Sequence, residues 1–271
     1  MQRNNLKNIL AQARKPSRFA VMSKKIFKRL FDHSGRHTHQ ENLTWLKRSC
    51  SSFEDLAYQL DAELWKEAQQ NAKELEQHAA IVLESVEFDL GGGGGYPILY
   101  FITRYLQPTT IVETGVAAGF SSYALLSAIG VNRKGSLYSS DFPYFRLPEP
   151  ERYIGFVVKE SLKKFWNLYL DGDEINLPRI LQKVDKIDLF HYDSDKSYSG
   201  REFAISTIKP HMSDTGIVLM DDIQDNSYFY DYVDRENPKA WYVFEFKGKY
   251  IGMLGAIGKE EFHLGEALES N

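Results

Sequence analysis

Acidic residues follow five successive apolar runs in the second half of the chain, and they are the first candidates for chemistry. In chain order they are Glu113, Asp141, Asp173, Asp193 with Asp195, and Asp221 with Asp222. If these runs are parallel strands, the carboxylates share one edge of a sheet, because the carboxyl ends of parallel strands meet there. Any one of them could be an ordinary turn residue. Five in succession indicate a ligand site.

A glycine turn follows the first of these acids. Residues 110–122 hold an apolar run that ends in Glu113, then Gly115 and Gly119, then a helical pattern. Glycine permits the tight backbone path and the close approach to a ligand that such a turn needs. The Gly-x-x-x-Gly spacing differs from the Gly-x-Gly-x-x-Gly of dinucleotide sites, and Glu113 would repel a pyrophosphate. The turn therefore indicates a cationic or hydroxyl-rich ligand.

Asp141 is the candidate partner of that ligand's hydroxyl groups. It lies 22 residues after Gly119, at the end of the second predicted strand. In dinucleotide sites an acid about 20 residues beyond the glycine turn binds a ribose hydroxyl. The same geometry predicts that Asp141 accepts both hydroxyls of a ribose.

The elements that would carry these residues alternate between strands and helices. Strands are predicted at 110–114, 136–140, 168–170, 187–192 and 216–220, with helices at 119–130, 152–165, 174–183 and 198–209. The runs 241–246 and 250–256, joined by Lys-Gly-Lys, are typical of a hairpin. The predicted fold is α/β, a mostly parallel Rossmann-like sheet covered on both faces whose last strand is antiparallel.

A helical part precedes this sheet. Residues 53–86 carry apolar residues such as Leu56, Leu60 and Leu64 at near-helical spacing, which predicts one or two long helices. Five consecutive glycines at 91–95 end this part, since no periodic element can pass through them. The run is interpreted as a cap and linker, or as a hinge. The predicted division is an arm at 1–40, a helical extension at 41–90 and the α/β domain at 91–271.

The arm differs in charge from the rest of the chain. The first 50 residues carry 12 Lys/Arg and two acids, and the remainder has 21 Lys/Arg and 35 Asp/Glu. Residues 18–32 alternate apolar and basic side chains at helical spacing, which predicts a basic amphipathic helix. Such a helix can pack on the main domain or a dimer partner, contact a membrane surface or another anionic partner, or serve as a cleaved presequence.

Composition limits the class of protein. A chain of 271 residues with 43% hydrophobic content can bury a sizeable core. Cys50 is the single cysteine, so no intrachain disulfide forms. No apolar run approaches the roughly 18 residues that a membrane-spanning helix needs, and no secretory signal is visible. We therefore predict a cytoplasmic globular protein.

Four stretches resemble class I S-adenosylmethionine-dependent methyltransferases. They are Glu-Thr-Gly-Val-Ala-Ala-Gly-Phe-Ser-Ser at 113–122, Leu-Tyr-Ser-Ser-Asp-Phe at 137–142, Leu-Asp-Gly-Asp at 170–173, and Ile-Asp-Leu-Phe-His-Tyr-Asp-Ser-Asp-Lys-Ser-Tyr at 187–198. The resemblance extends over about residues 91–257. It implies a seven-stranded sheet with an antiparallel last strand. The pattern is most similar to O-methyltransferases of the catechol and caffeoyl-coenzyme A type and their bacterial tailoring relatives, which implies a small-molecule or sugar hydroxyl as acceptor.

The resemblance also implies which residues bind S-adenosylmethionine. Asp141 would bind the ribose hydroxyls, and Asp173 would lie beside the adenine. The methionine and ribose portion would be lined by Glu113, Gly115, Gly119 and Ser121.

A second set of residues corresponds to the metal site of the catechol-type enzymes. There, an Asp three residues before a Lys supplies a metal ligand and a catalytic base, and these positions are Asp193 and Lys196 here. The other ligands follow the next strand as Asp-Asn in that family, whereas this chain has Asp221 and Asp222. The change leaves the use of Mg²⁺ or another divalent cation open.

Physical chemistry supports a cation at this place. The three carboxylates offer oxygen ligands that Mg²⁺ accepts, and without a cation one of them would take up a proton. In the expected mechanism a cation held by these acids binds two neighbouring substrate oxygens, and Lys196 removes or accommodates the proton of one. That oxygen then attacks the sulfonium methyl. His191, two residues before Asp193, is a partner of this group, an alternative base or a core histidine.

Three other classes of protein are weighed against this one. The basic arm suggests a nucleic-acid methyltransferase, but the chain lacks an Asn/Asp-Pro-Pro-Tyr-like motif, and its basic residues are not interleaved with stacking aromatics. A non-catalytic scaffold with this fold would be expected to lose acids at its strand ends. The glycine spacing argues against a nicotinamide oxidoreductase. We therefore expect a small-molecule or sugar partner and no nucleic acid.

Overall fold

The structure, a computed structural model, describes residues 35–144 and 147–258. Its α-helices are α1 (His39–Ser49), α2 (Phe53–Leu83), α3 (Tyr96–Leu106), α4 (Phe120–Asn132), α5 (Asp173–Leu181), α6 (Tyr198–Ile208) and α7 (Tyr228–Glu236). Its strands are β1 (Cys50–Ser51), β2 (Thr110–Thr114), β3 (Ser136–Ser140), β4 (Trp166–Tyr169), β5 (Ile187–Tyr192), β6 (Met212–Met220), β7 (Trp241–Phe246) and β8 (Lys249–Leu254). Short 3₁₀ helices lie at Pro150–Tyr153, Glu160–Phe165 and Lys209–His211.

The strands form one sheet in the order β1-β7-β8-β6-β5-β2-β3-β4. Strand β8 runs antiparallel to both of its neighbours, and the remaining pairs are parallel. The predicted α/β fold with an antiparallel last strand is therefore confirmed, and the two-residue β1 adds an eighth strand at the edge. The chain order reverses beside β2, and ligands of such sheets bind beyond the carboxyl ends of the strands at this point.

The helical extension packs on the sheet. Helix α2 buries one face, including Phe53, Trp65 and Leu75, in the same core cluster as α3 and α4. It consists of two helical segments that meet at a kink at Asp61, whose φ and ψ of −163° and 96° are not helical. The prediction of one or two long helices within 53–86 is thus confirmed, and the division at 91–95 into two domains stays a prediction.

The prediction of one helix at 152–165 is wrong. Two short 3₁₀ helices stand there instead, with residues 155–158 between them. Gly155 has a φ of +68°, which right-handed helix excludes, and its N–H donates to Ala117 O at 2.9 Å. The N–H of Val157 donates to Ala118 O at 3.0 Å. This segment therefore forms a turn instead of a helix, and its backbone donors bind the turn after β2.

Two buried clusters flank the sheet. Ile111 belongs to the cluster that contains α2, α3 and α4, and Val112 belongs to the cluster that contains α5, α6 and α7. Neighbouring strand residues point to opposite faces, so both faces are covered, as predicted. No helix of the described ranges is long and apolar enough to cross a membrane. The amphipathic helix predicted at 18–32 lies outside the described residues.

Candidate active site

The turn between β2 and α4 depends on two glycines. Gly115 has a φ of +81° and Gly119 a φ of +98°, values that favour glycine. A Cβ at Gly115 would lie 2.5 Å from the carbonyl carbon of Asp193, and one at Gly119 would lie 2.8 Å from Gly155 Cα. The glycine spacing noted in the sequence thus serves close approach of backbone to backbone. Gly115 also lines the pocket described below.

A non-glycine residue in the same turn is also in the left-handed region. Ala117 has a φ of +49°, a conformation that surrounding contacts must stabilise. Its N–H donates to Asp141 Oδ2 at 2.8 Å, and its carbonyl accepts from Gly155 N at 2.9 Å. The acid at the end of β3 therefore holds the turn at the end of β2.

Glu113 supports this turn from below. The side chain is fully buried, and its oxygens accept hydrogen bonds from Ser121 Oγ at 2.5 Å, Ser122 Oγ at 2.6 Å and Ser139 Oγ at 2.8 Å. Ser121 is itself 3% exposed. Both residues are expected from the sequence to line the cofactor, but they lie beneath the turn rather than on the pocket surface. Their contact with a ligand stays a prediction.

A pocket of about 180 Å³ lies above the turn, at the carboxyl ends of the strands. Its lining contains four of the predicted site residues, Gly115, Asp141, Asp173 and Asp193. The other lining residues are Ala117, Phe142, Tyr144, Ile154, Gly172 and Ser194. Tyr144 and Ile154 could not be predicted as lining residues, because they come from the irregular segment after β3. The predicted edge of the sheet thus contains a cavity with acids from three of its strands.

Asp173 connects both sides of this pocket. It is the first residue of α5, and its Oδ1 accepts from Ser140 Oγ at 2.6 Å. Its other oxygen accepts from the hydroxyl of Ser194, which follows β5. Asp141, beside it, accepts from Phe142 N at 2.6 Å as well as from Ala117 N. Both carboxylates are therefore oriented by hydroxyl and backbone donors.

The acids after β5 and β6 are paired with lysines. Lys196 forms ion pairs with Asp193 and, at 3.0 Å, with Asp222 Oδ2. Lys249 of the β7–β8 hairpin lies 3.0 Å from Asp222 Oδ1. Burial raises the pKa of Asp222, but Lys196 and Lys249 outweigh burial and lower this pKa to about 2. Asp222 is therefore held as a carboxylate.

Asp221 is in the opposite electrostatic situation. Asp221 is only 4% exposed. Burial, together with the negative charge of Asp193, raises the pKa of its carboxyl. His191 is also buried, and its Nδ1 lies 3.6 Å from Glu113 Oε1. Among the described residues neither ring nitrogen makes a hydrogen bond. Burial alone would lower the pKa of His191, but Glu113, Asp221 and Asp193 outweigh burial and raise it. These groups favour a bound proton or cation among them.

The structure brings together a different set of possible metal ligands from the predicted one. Among the described residues, ligand atoms of His191, Asp193 and Asp221 all lie within 4.8 Å of one another. Asp222, the third predicted ligand, is not in this group, because its oxygens pair with two lysines. A buried imidazole beside two carboxylates is a donor set that suits a divalent cation.

The glycine run at 91–95 reaches this site, which the sequence did not indicate. A Cβ at Gly94 would overlap Oδ2 of Asp221 and lie 2.6 Å from its Cγ. A Cβ at Gly93 would overlap Phe120, the first residue of α4. The run is therefore a wall of the site as well as a link between the helical extension and α3. We call it the glycine strap.

Comparisons with known proteins agree with this architecture. Residues 112–223 match the family model of a methyltransferase domain. An O-methyltransferase from Bacillus cereus in complex with SAH superposes with a TM-score of 0.53 at 13% identity, over 67% of this chain and 90% of that one. The O-methyltransferase TomG from Streptomyces achromogenes, involved in tomaymycin synthesis and solved with SAM, gives 0.54 at 14% identity, over 67% and 89%. Among curated proteins no match was found.

The matched region and the site coincide. Residues 112–223 begin within β2 and end just beyond Asp222, so they include every acid placed at the strand ends. The two solved structures superpose on this chain at 13% and 14% identity, which shows a shared fold. Residues 112–223 of this chain are therefore similar to a methyltransferase domain, and the chain has the fold of the two solved O-methyltransferases.

Proposed function

We propose that the protein is an S-adenosylmethionine-dependent O-methyltransferase that methylates a hydroxyl of a small molecule or a sugar. One observation carries the proposal: the glycine turn and the acids Asp141, Asp173 and Asp193 line a single pocket beyond the carboxyl ends of the strands. Ligands of this class of sheet bind there. The two solved relatives, whose names state that they hold SAH and SAM, support the choice of methyl donor.

The nucleoside part of the donor is assigned to the β3–β4 side of the pocket. A carboxylate has about four acceptor sites, so Asp141 can accept ribose hydroxyls while it binds Ala117 N and Phe142 N. Asp173, oriented by Ser140 and Ser194, is assigned to the neighbourhood of the adenine. Gly115 lets the donor approach the backbone of the turn.

Proton transfer is assigned to the β5–β6 side. Asp193 lines the pocket and forms an ion pair with Lys196, which in turn contacts Asp222. The Lys196 side chain is 27% exposed, and its ion pair with Asp193 connects it to the pocket lining. In the proposed reaction Lys196 orients the acceptor hydroxyl, the carboxylate of Asp193 receives its proton, and the oxygen takes the methyl group as S-adenosylhomocysteine leaves. Alignment of the two reactants supplies most of the acceleration.

A divalent cation fits the buried part of this side. Asp193 and Asp221 would hold it, and His191, whose ring nitrogens have no described hydrogen-bond partner, would be the third ligand in place of Asp222. Such a cation would stabilise the ionised form of an acceptor hydroxyl. Lys196 also provides positive charge beside Asp193 and Asp222. The negative charge of these acids can therefore be compensated by the lysine or by a cation.

Calorimetric titration with S-adenosylmethionine, followed by Mg²⁺, tests the proposal. We expect the wild type and Asp193→Ala to bind the nucleoside, and only the wild type to bind Mg²⁺. Asp171→Ala is the matched control, because Asp171 is in the loop before α5 but pairs with Arg179 at the surface and is not in the pocket lining. Failure of the wild type to bind S-adenosylmethionine would overturn the proposal. If the wild type binds S-adenosylmethionine but not Mg²⁺, only the proposed role of the cation would be overturned.

A further inference from the structure

The glycine strap, residues 91–95, is fixed at both ends. Before it, the carbonyl of the buried Leu90 accepts from Tyr144 Oη at 2.7 Å, and Tyr144 lines the donor pocket. After it, the hydroxyl of the buried Tyr96 binds Glu76 and accepts from Lys247 Nζ at 2.6 Å. The strap therefore spans from the wall of the pocket to the β7–β8 hairpin, over the turn that begins α4.

The two halves of the strap have different surroundings. A Cβ on Gly91 or Gly92 would meet nothing within 4 Å. On Gly93 or Gly94 it would overlap Phe120 or Asp221. Gly95, with a φ of +52°, would bring a Cβ within 2.7 Å of Ile251 Cδ1. Absence of a side chain is therefore required in the second half, where the strap meets the site.

The Asp221 carboxylate has little else to fix it. Within the described residues, no hydrogen bond or ion pair to its side-chain oxygens is found. The backbone around it is well held, because Arg201 donates to the carbonyls of Asp221 and Asp222 at 3.0 and 2.8 Å. The position of the carboxylate is thus limited by packing, and Gly94 packs directly against it.

We infer that Gly94 is a positioning residue for Asp221. Its bare backbone leaves room for the carboxylate to point toward Asp193 and His191, whose ligand atoms lie within 4.8 Å of it. Any side chain at 94 displaces the carboxylate, since Oδ2 occupies the place of the Cβ. The inference rests on the proposed function for its meaning in catalysis, but the contact itself does not depend on any ligand.

A double-substitution cycle tests the contact by thermal unfolding without ligand. We expect Gly94→Ala to lower the midpoint by about 4–8 °C, because a buried charged side chain must move. Gly92→Ala is the matched control in the same strap and should stay within about 2 °C of wild type, since its Cβ points into open space. In an Asp221→Ala background the carboxylate is absent, and Gly94→Ala should lower the unfolding midpoint by less than about 2 °C.

Asp193→Ala provides a second background. It leaves the Asp221 carboxylate in place, so Gly94→Ala should there keep its full effect. Equal losses from Gly94→Ala in the wild-type and Asp221→Ala backgrounds would overturn the inference, as would equal effects of Gly92→Ala and Gly94→Ala. If Gly94→Ala does not fold alone, folding of Gly94→Ala with Asp221→Ala supports the inference and failure of both overturns it. The nucleoside titration of the wild type judges the proposed function separately.

Discussion

The two sides of the site hold their acids in different ways. At the β3–β4 side, Asp141 and Asp173 accept hydrogen bonds from backbone N–H groups and from the hydroxyls of Ser140 and Ser194. At the β5–β6 side, Asp222 is paired with two lysines, whereas Asp221 is buried against the glycine strap. Directed hydrogen bonds fix the orientation of a carboxylate, whereas nearby charges decide whether it is ionised.

This difference matches the two tasks of a methyl transfer. Recognition of a nucleoside requires acceptors at fixed positions, which a backbone and short side chains provide. Movement of a proton requires groups whose ionisation the surroundings control, and Asp221 and Asp222 are neighbours whose pKa values shift in opposite directions. Substitutions on the first side should therefore change the affinity for the donor, and substitutions on the second should change how stability depends on pH.

The largest effect is expected at Asp141. In Asp141→Asn one acceptor oxygen and the charge are lost, so the affinity for S-adenosylmethionine should fall about 10- to 100-fold, the equivalent of a charged hydrogen bond. Isothermal titration measures it. Asp171→Asn, in an exposed neighbouring acid, should bind as the wild type does. An unchanged affinity of Asp141→Asn would show that the donor does not rely on this carboxylate.

A smaller effect, of opposite sign at two adjacent positions, is expected for stability. The pKa of Asp222 is lowered to about 2 in the folded state. Its ionised form therefore stabilises the fold at a pH above the ordinary pKa of 3.8, and this stabilisation is lost as the pH falls toward 2. The pKa of Asp221 is raised, so its ionisation costs stability as the pH rises above 3.8 through the raised value. At pH 7.5 Asp222→Asn should therefore destabilise, and Asp221→Asn should stabilise, each by about 1–2 kcal/mol.

Denaturant unfolding with a chelator present, at pH 7.5 and pH 4.5, measures both variants. The gain of Asp221→Asn should shrink at pH 4.5, because the wild-type carboxyl then carries its proton in the folded protein. The loss of Asp222→Asn should persist at that pH, which is still above both of its pKa values. Asn also tolerates the left-handed backbone of Asp222, whose φ is +53°. The same sign at both positions would contradict the contrast between the two sides.

The strands and the edge of the sheet could be predicted from the sequence because short apolar runs ended in acids and turns. Helix α3 gave no periodic signal, since the eight consecutive residues from Tyr96 to Thr103 are all buried. The true contacts of Glu113, Asp221 and Asp222 could not be predicted either. They depend on Ser139, on Gly94 and on Lys249, residues brought in from distant elements, and local spacing contains no information about such pairs.

The smallest effect is expected where the two sides meet, at Ser194. Its hydroxyl follows β5 and donates to Asp173, which begins α5. In Ser194→Ala one hydrogen bond to this carboxylate is lost, so the affinity for S-adenosylmethionine should fall about fivefold, as for one net hydrogen bond of about 1 kcal/mol. Ser206→Ala is the control, because that hydroxyl donates to the helix carbonyl of Phe203 at an exposed position. A loss as large as that of Asp141→Asn would mean that Ser194 also orders the β5–β6 side, and that the two sides are not independent.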